Sequence, residues 1–416
     1  MTEPARRIGI VGAGVVGAAC ALRLSLDGYE VTMLDPEPPG SGCSHGNAGQ
    51  IGTAGIVPFV NPRTAAKAWS WSRDPDHPLR VPLMGMARNL RWIRRFRRAA
   101  TDARSAAATR ALHSLARRVY RDLEPLLEAA SAAPLIDRRG TLQVFEDRTI
   151  FESLTPDFRL REEYGNALTY FDRAELLELE PALGPTARHG VLFDDAALVR
   201  NPRALTEKMV AAVLARGGSL KPARVRGLKP VEQGVAAITE EGRLDFAQIV
   251  LAAGIHARTF FRRLGVTVPL WAERGYHLQL PDLDHGLTRS VLFYDRRVVF
   301  SPLETGLRLT TGAEFTAPDA PPAHDLYRRL FQGATGLLRE SPDLERGVPW
   351  VGSRPSPPDF LPIIGRAPRL PNVILAAGHG HSGLTFAAPT ARLVSGLVAG
   401  AELDGDIAAF APDRPG

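Results

Sequence analysis

The chain of 416 residues lacks most of the groups that define disulfide-rich and membrane-spanning proteins. Its two cysteines, Cys20 and Cys43, provide neither a disulfide framework nor a paired metal motif, so a reducing compartment is expected. No run of about 18 uninterrupted apolar residues occurs, and no apolar targeting segment precedes the first predicted strand. Internal repeats and low-complexity linkers are equally absent. We therefore expect a cytoplasmic globular protein of two domains, because one hydrophobic core rarely serves so long a chain.

Acidic residues are scarce between residues 62 and 120, where 14 Lys and Arg stand against 3 Asp and Glu. Six of these arginines fall within residues 88–98, and residues 83–98 are predicted to form an amphipathic helix. Its predicted apolar face carries Leu83, Met86, Leu90, Ile93 and Phe96, with Arg97 intruding, and its basic face carries Arg88, Arg91, Arg94, Arg95 and Arg98. Two interpretations stay open: a surface helix with a solvated basic face, or peripheral docking to the anionic inner face of a membrane. Nucleic acid is not an expected partner, because no nucleic-acid-binding motif accompanies the helix.

Hydrophobic patterning predicts an α/β fold in which a Rossmann-type domain is interleaved with a mainly antiparallel α+β domain. Residues 8–35 are predicted to form a strand, a helix and a strand, and residues 268–315 to be rich in strands and turns. We expect the Rossmann-type, cofactor-binding domain to comprise residues 1–60, 192–262 and 347–416. The substrate domain would then comprise residues 61–191, which include the basic helix, and residues 263–346.

The strongest local motif is the glycine fingerprint Gly12-Ala13-Gly14-Val15-Val16-Gly17, which lies between a predicted strand and a predicted helix. The first glycine would make a tight turn, the second would let the backbone reach a pyrophosphate, and the third would let helix and strand pack closely. The first-turn amides and the helix dipole would then face the phosphates. Asp35, at the end of the next strand, would accept hydrogen bonds from the adenosine ribose. The motif is typical of dinucleotide binding but does not by itself distinguish NAD from FAD.

A second glycine-rich loop, GSGCSHGNAGQIG, follows almost immediately at residues 40–52. It has almost no side chain that could fill a core, so something must approach its backbone closely. A nicotinamide dehydrogenase does not need such a loop, and the single fingerprint leaves no separate nicotinamide domain. An extended FAD, with its ribityl chain and ring against the backbone, accounts for both observations.

A third glycine-rich segment, Gly378-His379-Gly380-His381-Ser382-Gly383-Leu384-Thr385, is predicted to end a buried strand and to open a helix. A helix N-terminus carries free N–H groups and a partial positive charge. Aimed at the flavin pyrimidine ring, it would stabilise the negative charge that develops there on reduction. Gly254, at the end of the predicted strand 247–254, is a further expected cofactor contact.

Taken in order, these motifs resemble the FAD-dependent D-amino acid oxidase/dehydrogenase family, with the bacterial D-amino acid dehydrogenases closest. The resemblance runs from residue 8 to about residue 400 and also includes Ser44-x-x-Asn47-Ala48-Gly49-Gln50-Ile51, Arg274-Gly275-Tyr276 and Arg354-Pro355-x-x-Pro358-Asp359. It implies that residues 42–49 wrap the flavin, with Ser44, Asn47, Ala48, Gly49, Gln50 and Ile51 as cofactor contacts. Some relatives attach flavin through a cysteine just before the Arg-Pro pair. This chain has Val351-Gly352-Ser353 there, so non-covalent FAD is implied.

The resemblance also implies the substrate end of the site. Arg354 would hold the substrate carboxylate, since a planar guanidinium offers bidentate geometry. Tyr276, through its hydroxyl, and His381, as a contact or proton relay, are the other catalytic candidates, and Arg274 would approach the flavin. The implied reaction is hydride transfer from Cα of a D-amino acid to flavin N5, giving an imino acid that hydrolyses to a 2-oxo acid and ammonia. The electrons would pass to a quinone or another acceptor.

Several alternatives stay open on the sequence alone. A secondary or cyclic amino acid, such as D-hydroxyproline, a proline-like imino acid, sarcosine or glycine, would need the same chemistry, and an oxidase would differ only in its acceptor. Arg354 could serve in a salt bridge, Tyr276 could lie in the core and His45 could face solvent. A nicotinamide-dependent enzyme is disfavoured by the second glycine loop, and a non-enzymatic FAD-binding protein by Arg354 and Tyr276. No metal site is predicted.

Overall fold

The computed structural model of the chain describes residues 7–74, 77–281, 285–401 and 407–415, and the side chains of Leu83 and Met84 lie outside this description. The helices, in chain order, are α1 (Val15–Leu26), α2 (Pro62–Arg73), α3 (Leu83–Arg88), α4 (Leu90–Ala99), α5 (Asp102–Ala116), α6 (Val119–Ala129), α7 (Arg148–Ser153), α8 (Thr155–Glu163), α9 (Arg173–Leu179), α10 (Pro202–Ala215), α11 (Arg258–Leu264), α12 (His324–Gln332) and α13 (Gly383–Ala399). The strands are β1 (Arg7–Val11), β2 (Glu30–Leu34), β3 (Gln50–Ile51), β4 (Leu79–Arg80), β5 (Ile136–Asp137), β6 (Thr141–Phe145), β7 (Leu168–Phe171), β8 (His189–Phe193), β9 (Ala197–Val199), β10 (Ser219–Lys221), β11 (Val225–Val231), β12 (Gly234–Thr239), β13 (Gly242–Phe246), β14 (Gln248–Leu251), β15 (Trp271–Leu280), β16 (Ser290–Phe293), β17 (Val298–Leu303), β18 (Gly306–Thr316), β19 (Val348–Ser356), β20 (Ile363–Ala367) and β21 (Leu370–Ala377).

One layer of the molecule is a six-stranded sheet in the order β10-β2-β1-β14-β21-β20. Its strands are parallel except at the edge, where β20 runs antiparallel to β21. The central strands are short apolar runs without alternation, as strands covered on both faces require. Helices α1, α10 and α13 bury their apolar side chains in a core on one side of this sheet, and the β11-β12-β13 meander contributes to the core on the other.

The second layer is a mainly antiparallel sheet in the order β19-β15-β18-β17-β16-β6-β8-β7, with β4 beside β18. The predicted fold class, a Rossmann-type domain interleaved with a mainly antiparallel one, is confirmed. Two segments pair or pack with the domain opposite to the one that the expected boundaries assign to them. Strand β19 pairs with β15, so residues 348–356 belong to the antiparallel sheet. Helix α6 shares a hydrophobic core with α1 and α13, because its apolar side chains Leu123, Leu126 and Leu127 face them.

The predicted basic helix is divided into α3 and α4, which meet at Asn89. The prediction was wrong for Leu90, which is 54% exposed although it was assigned to the apolar face. The break at Asn89 changes the rotational phase of α4, so that Trp92 turns inward and donates a hydrogen bond to the carbonyl of Ser356. Arg91 also donates to a backbone carbonyl of the same molecule. In the part of the chain that the structure describes, none of the helices combines the length and the apolar character of a transmembrane span.

Candidate active site

Three glycine turns meet at the carboxyl edge of the parallel sheet. The strands β1, β14 and β21 lie side by side, with Val11 in register with Leu251, and each strand runs directly into one of these turns. The turns contain Gly12 at φ 113°, Gly254 at φ 52° and Gly378 at φ 70°, a backbone region that L side chains rarely adopt. Segments that are far apart in sequence therefore form one backbone-lined edge, where parallel α/β sheets bind their ligands.

The fingerprint glycines are required by backbone packing. A Cβ on Gly12 would lie 2.8 Å from the carbonyl carbon of Ala252 and closer still to its oxygen. A Cβ on Gly17 would overlap the carbonyl of Gly12, so α1 can approach β1 only without a side chain there. A Cβ on Gly14 would lie 3.2 Å from Ser44 Oγ, which makes this position tight as well.

The first turn of α1 begins at Val15 and Val16, which follow the N-cap Gly14. Ser44 Oγ accepts a hydrogen bond from the amide of Val15 at 2.9 Å, and its own proton stays available for a ligand oxygen. Asp35 closes the turn through its carboxylate, which accepts from the amides of Ala13 at 2.7 Å and Glu37 at 3.0 Å. A role for Asp35 toward a ribose is still a prediction, and the remaining lone pairs of the carboxylate leave room for it.

Two different reasons explain why the second loop, residues 40–52, has glycine where a side chain could stand. A Cβ on Gly46 would overlap the ring of Trp350, and one on Gly49 would lie 2.7 Å from the carbonyl oxygen of Val199. At these positions the protein itself excludes a side chain, which corrects the expectation that the cofactor does so along the whole loop. Gly42 differs, because an added Cβ there meets no protein atom within 4 Å. Gly254, at the sheet edge, has the same open surroundings.

Internal hydrogen bonds hold the second loop in shape. Asn47 donates to the carbonyl of Ser44 and accepts from the amide of Gly49, both at 2.7 Å. Ala48 accepts from a serine of β17 through its carbonyl oxygen. Gln50 and Ile51 form β3, which pairs with β9. The side chain of Asn47 therefore organises the loop, and what the loop offers to a ligand is mainly backbone.

The second loop packs on one face of the antiparallel sheet. Arg308 donates to the carbonyl oxygens of His45 and Asn47 at 2.7 and 2.9 Å, and a ring nitrogen of His277 lies 3.0 Å from the carbonyl oxygen of Gly46. Burial lowers the pKa of Arg308 to about 10, which leaves it a cation at neutral pH. Neither Arg308 nor His277 belongs to a motif that the sequence alone reveals, because only the register of β15 and β18 brings them under the loop.

The same sheet face has a buried polar atom without a partner. Thr310 lies on β18 two residues after Arg308, and its hydroxyl has no hydrogen-bond partner in the described part of the molecule. Buried hydroxyl groups are rarely left unpaired, so this atom fits a ligand group. The helix α13 adds an N-terminus without a side-chain cap at Ser382, preceded by a 3₁₀ turn over residues 380–382. Leu384 and Thr385, in its first turn, are half-buried. With the open space at Gly42 and Gly254, these features fit a flavin dinucleotide.

The substrate candidates Arg354 and His381 both contact Glu273, a residue that no sequence motif singles out. Glu273 is opposite Arg354 in the β15–β19 register, so both side chains leave the same sheet face. The guanidinium Nη1 lies 3.4 Å from Glu273 Oε1 and donates to the carbonyl of Gly312 at 2.9 Å. His381 Nε2 is paired with the same Oε1, and Ser356 Oγ donates to Oε2 at 2.6 Å.

This cluster combines a buried anion with two groups that reach solvent. Glu273 is 1% exposed, whereas the side chains of Arg354 and His381 are 19% and 42% exposed. Burial alone would raise the pKa of the Glu273 carboxyl, but the interactions with His381 and Arg354 and the hydrogen bond from Ser356 lower it to about 2. Glu273 is therefore ionised at neutral pH and holds two positively charged or donor groups at the mouth of the site.

Tyr276 lies on the other face of β15. Its hydroxyl donates to Glu314 and accepts from the amide of Ala323, and its ring stacks on Tyr327 with centroids 3.7 Å apart. Burial and the bond to Glu314 raise the pKa of Tyr276 to about 12. Arg274 lies on this same face and is paired with Glu314. The structure thus does not bring Tyr276 or Arg274 to the sheet face that carries Arg354, because β15 alternates its side chains between faces.

Both cysteines are protonated thiols. Burial raises the pKa of Cys20 to about 12, and burial, partly offset by the charge of Arg354, raises the pKa of Cys43 to about 11. Cys43 donates a hydrogen bond to the carbonyl of Ser353 at 3.0 Å and so ties the second loop to β19. A thiolate nucleophile is not available at either position at neutral pH.

The chain matches known proteins along nearly its whole length. Residues 7–397 match the family described as FAD dependent oxidoreductase (DAO). A D-amino-acid oxidase of Bradyrhizobium diazoefficiens is 32% identical over 417 residues, which cover 98% of this chain and 99% of that protein. A D-amino acid dehydrogenase of Rhodopseudomonas palustris is 28% identical and covers 97% of both chains.

Solved structures with the same fold include two oxidases. Glycine oxidase from Geobacillus kaustophilus superposes with a TM-score of 0.75 at 21% identity and covers 99% of both chains. Iminodiacetate oxidase from Chelativorans sp. BNC1 has a TM-score of 0.73 at 20% identity, over 99% of this chain and 100% of the other. At these identities the solved structures show only the fold. The family match shows that the cofactor is FAD and that the protein is an oxidoreductase. The chain belongs to the DAO family and is an FAD-dependent oxidoreductase, as the resemblance of its ordered motifs implied.

Proposed function

We propose that the protein is a D-amino acid dehydrogenase that oxidises its substrate to an imino acid, which water converts to a 2-oxo acid and ammonia. The observation that carries this proposal is the Arg354 guanidinium, which is partly exposed on the sheet face that also holds the second glycine loop. A cation held in this way suits the carboxylate that every α-amino acid carries. The names of similar proteins, a D-amino-acid oxidase and several D-amino acid dehydrogenases, support the choice of substrate.

FAD, when bound, supplies the hydride acceptor of this reaction. The α1 N-terminus and Asp35 would hold its adenylate part, and residues 42–50 and the α13 N-terminus would hold its flavin part. Arg354 would orient the substrate by its carboxylate and so fix the position of Cα. The cofactor would be held without a covalent bond, since the residues before the Arg354-Pro355 pair, Val351-Gly352-Ser353, include no cysteine.

Aromatic rings beside His381, which shares Glu273 with Arg354, favour a substrate with a large apolar or aromatic side chain. Phe59 and Phe360 pack together with ring centroids 4.8 Å apart, and both lie about 6 Å from the ring of His381. Phe59 is exposed, and Phe360 adopts a φ of 56°, which is rare for a bulky residue and persists only where the surroundings enforce it. An apolar substrate side chain would cover the exposed ring of Phe59.

The electron acceptor is proposed to be a membrane quinone, reached through a surface that combines α2 with the exposed side of α4. Helix α2 has no buried residue in its whole length, and Trp69 is 45% exposed with the guanidinium of Arg73 over its ring. Leu90 is exposed beside the arginines of α4. An exposed tryptophan ring and an exposed leucine among cations suit an anionic membrane surface.

Anaerobic mixing of the FAD-loaded protein with a panel of D- and L-amino acids tests the reaction. We expect bleaching of the flavin absorbance by D-amino acids, fastest with apolar and aromatic side chains. Bleaching by sarcosine, glycine or proline-like amines alone would instead indicate that the protein oxidises these alternative substrates. Reoxidation of the reduced flavin by a soluble quinone should be much faster than by oxygen, and the reverse order would make the protein an oxidase.

A further inference from the structure

The contact between His381 and Glu273 fixes which ring nitrogen of His381 carries a proton, and the family resemblance does not imply this. Glu273 is a buried anion on β15, and its Oε1 is in contact with His381 Nε2. An ionised carboxylate accepts hydrogen bonds only, so Nε2 must carry a proton in this contact. The neutral imidazole then has its lone pair on Nδ1, the nitrogen directed away from Glu273.

The His381 ring is half-exposed and lies close to Arg354, the proposed anchor of the substrate carboxylate. The elements packed against it contribute Glu273 from β15, Arg354 and Ser356 from β19, and the rings of Phe59 and Phe360. Glu273 is the only anion among these groups and Arg354 the only fixed cation. A substrate held by Arg354 therefore has the half-exposed imidazole as its neighbour.

An α-amino acid arrives mainly as an ammonium ion, whereas hydride can leave Cα only when the amine has a lone pair. We propose that His381, oriented and electrostatically supported by Glu273, takes this proton from the substrate ammonium group at Nδ1. One N–H bond of the substrate breaks, the Nδ1–H bond of His381 forms, and Glu273 stabilises the resulting imidazolium. The hydride leaves Cα separately, and the proton returns to solvent from the exposed ring. This inference rests on the proposed amino acid substrate.

The first test is His381→Gln in the FAD-loaded protein, which keeps an N–H donor for Glu273 but cannot accept a proton. His189→Gln, on β8 at the far side of the antiparallel sheet, is the matched control. We expect flavin reduction at pH 7 to slow about 100-fold in His381→Gln, the usual scale of general-base catalysis, and to be unchanged in the control. The deficit should disappear as the pH approaches the pKa of the substrate amine, because the free amine then needs no base.

A deficit that is the same at every pH, or none at all, would overturn the proposal. The second test is histidine ¹⁵N NMR of the FAD-loaded protein, with the His381 signal assigned by its loss in His381→Gln. We expect a protonated Nε2 and an unprotonated Nδ1, and a mixture of tautomers in Glu273→Gln. A protonated Nδ1 in the neutral ring would also overturn the proposal. If no amino acid bleaches the wild-type flavin, the proposed function fails, while the NMR result still reports on the pair.

Discussion

Gly275 offers a test of the substrate anchor that removes no charge. A Cβ added to Gly275 would lie 2.8 Å from Arg354 Nη1 and closer still to Cζ and Nη2. The ordinary contact distance is above 3.4 Å. Gly275→Ala should therefore push the guanidinium away from its place by about 1 Å or more and disturb its bond to the carbonyl of Gly312. A displacement of this size at a positioning group costs about 100-fold in rate.

The expected result for Gly275→Ala is a fall of about 100-fold in kcat/KM for a D-amino acid, equivalent to about 2.7 kcal/mol. The assay is anaerobic stopped-flow reduction of the flavin over a range of substrate concentrations. FAD content and thermal unfolding serve as controls, since the loop and the fingerprint are untouched. Arg354→Lys should show a similar loss, because a lysine keeps the charge without the planar fork. A Gly275→Ala variant with wild-type kcat/KM would refute Arg354 as the carboxylate anchor.

Three further predictions use other parts of the structure. Gly42→Ala should weaken FAD binding about tenfold, because the added methyl group would overpack the cofactor. Fluorescence titration of the apoprotein measures the affinity, and Gly55→Ala, where an added Cβ also meets no protein atom within 4 Å, should leave it unchanged. Equal affinities of the two variants would place the flavin elsewhere. Burial lowers the pKa of His379 to about 4, so its neutral form stabilises the fold fully above about pH 6.5 and loses this contribution as the pH falls toward 4. His379→Gln should therefore flatten the pH dependence of urea unfolding by up to about 1.4 kcal/mol per pH unit over that range, and an unchanged slope would contradict it. Trp69→Ser should reduce co-sedimentation with anionic vesicles about tenfold, and Arg73→Glu should do so only at low salt; binding unaffected by either variant would remove this surface from the proposal.

Local sequence was sufficient to predict those structural features whose contacts lie within one short segment of the chain. The glycines of the fingerprint are needed by the approach of α1 to β1, two elements that are adjacent in the chain. Asn201, of a residue type that favours helix N-caps, accepts a hydrogen bond from the amide of Ala204 at the start of α10. The helix break at Asn89 was not visible in the hydrophobic pattern, because the buried Trp92 finds its partners on β15, β18 and the segment after β19.

The sequence by itself determined the cofactor class, since each glycine turn encodes a backbone shape within a few residues and the order of the turns is that of the DAO family. Only the tertiary structure decided which polar groups share the substrate side. The register of β15 with β19 puts Glu273 beside Arg354, and the alternation of β15 sends Tyr276 to the opposite face. A strand pairing between residues about 80 positions apart leaves no local signal, and a shift by one residue would exchange the two faces.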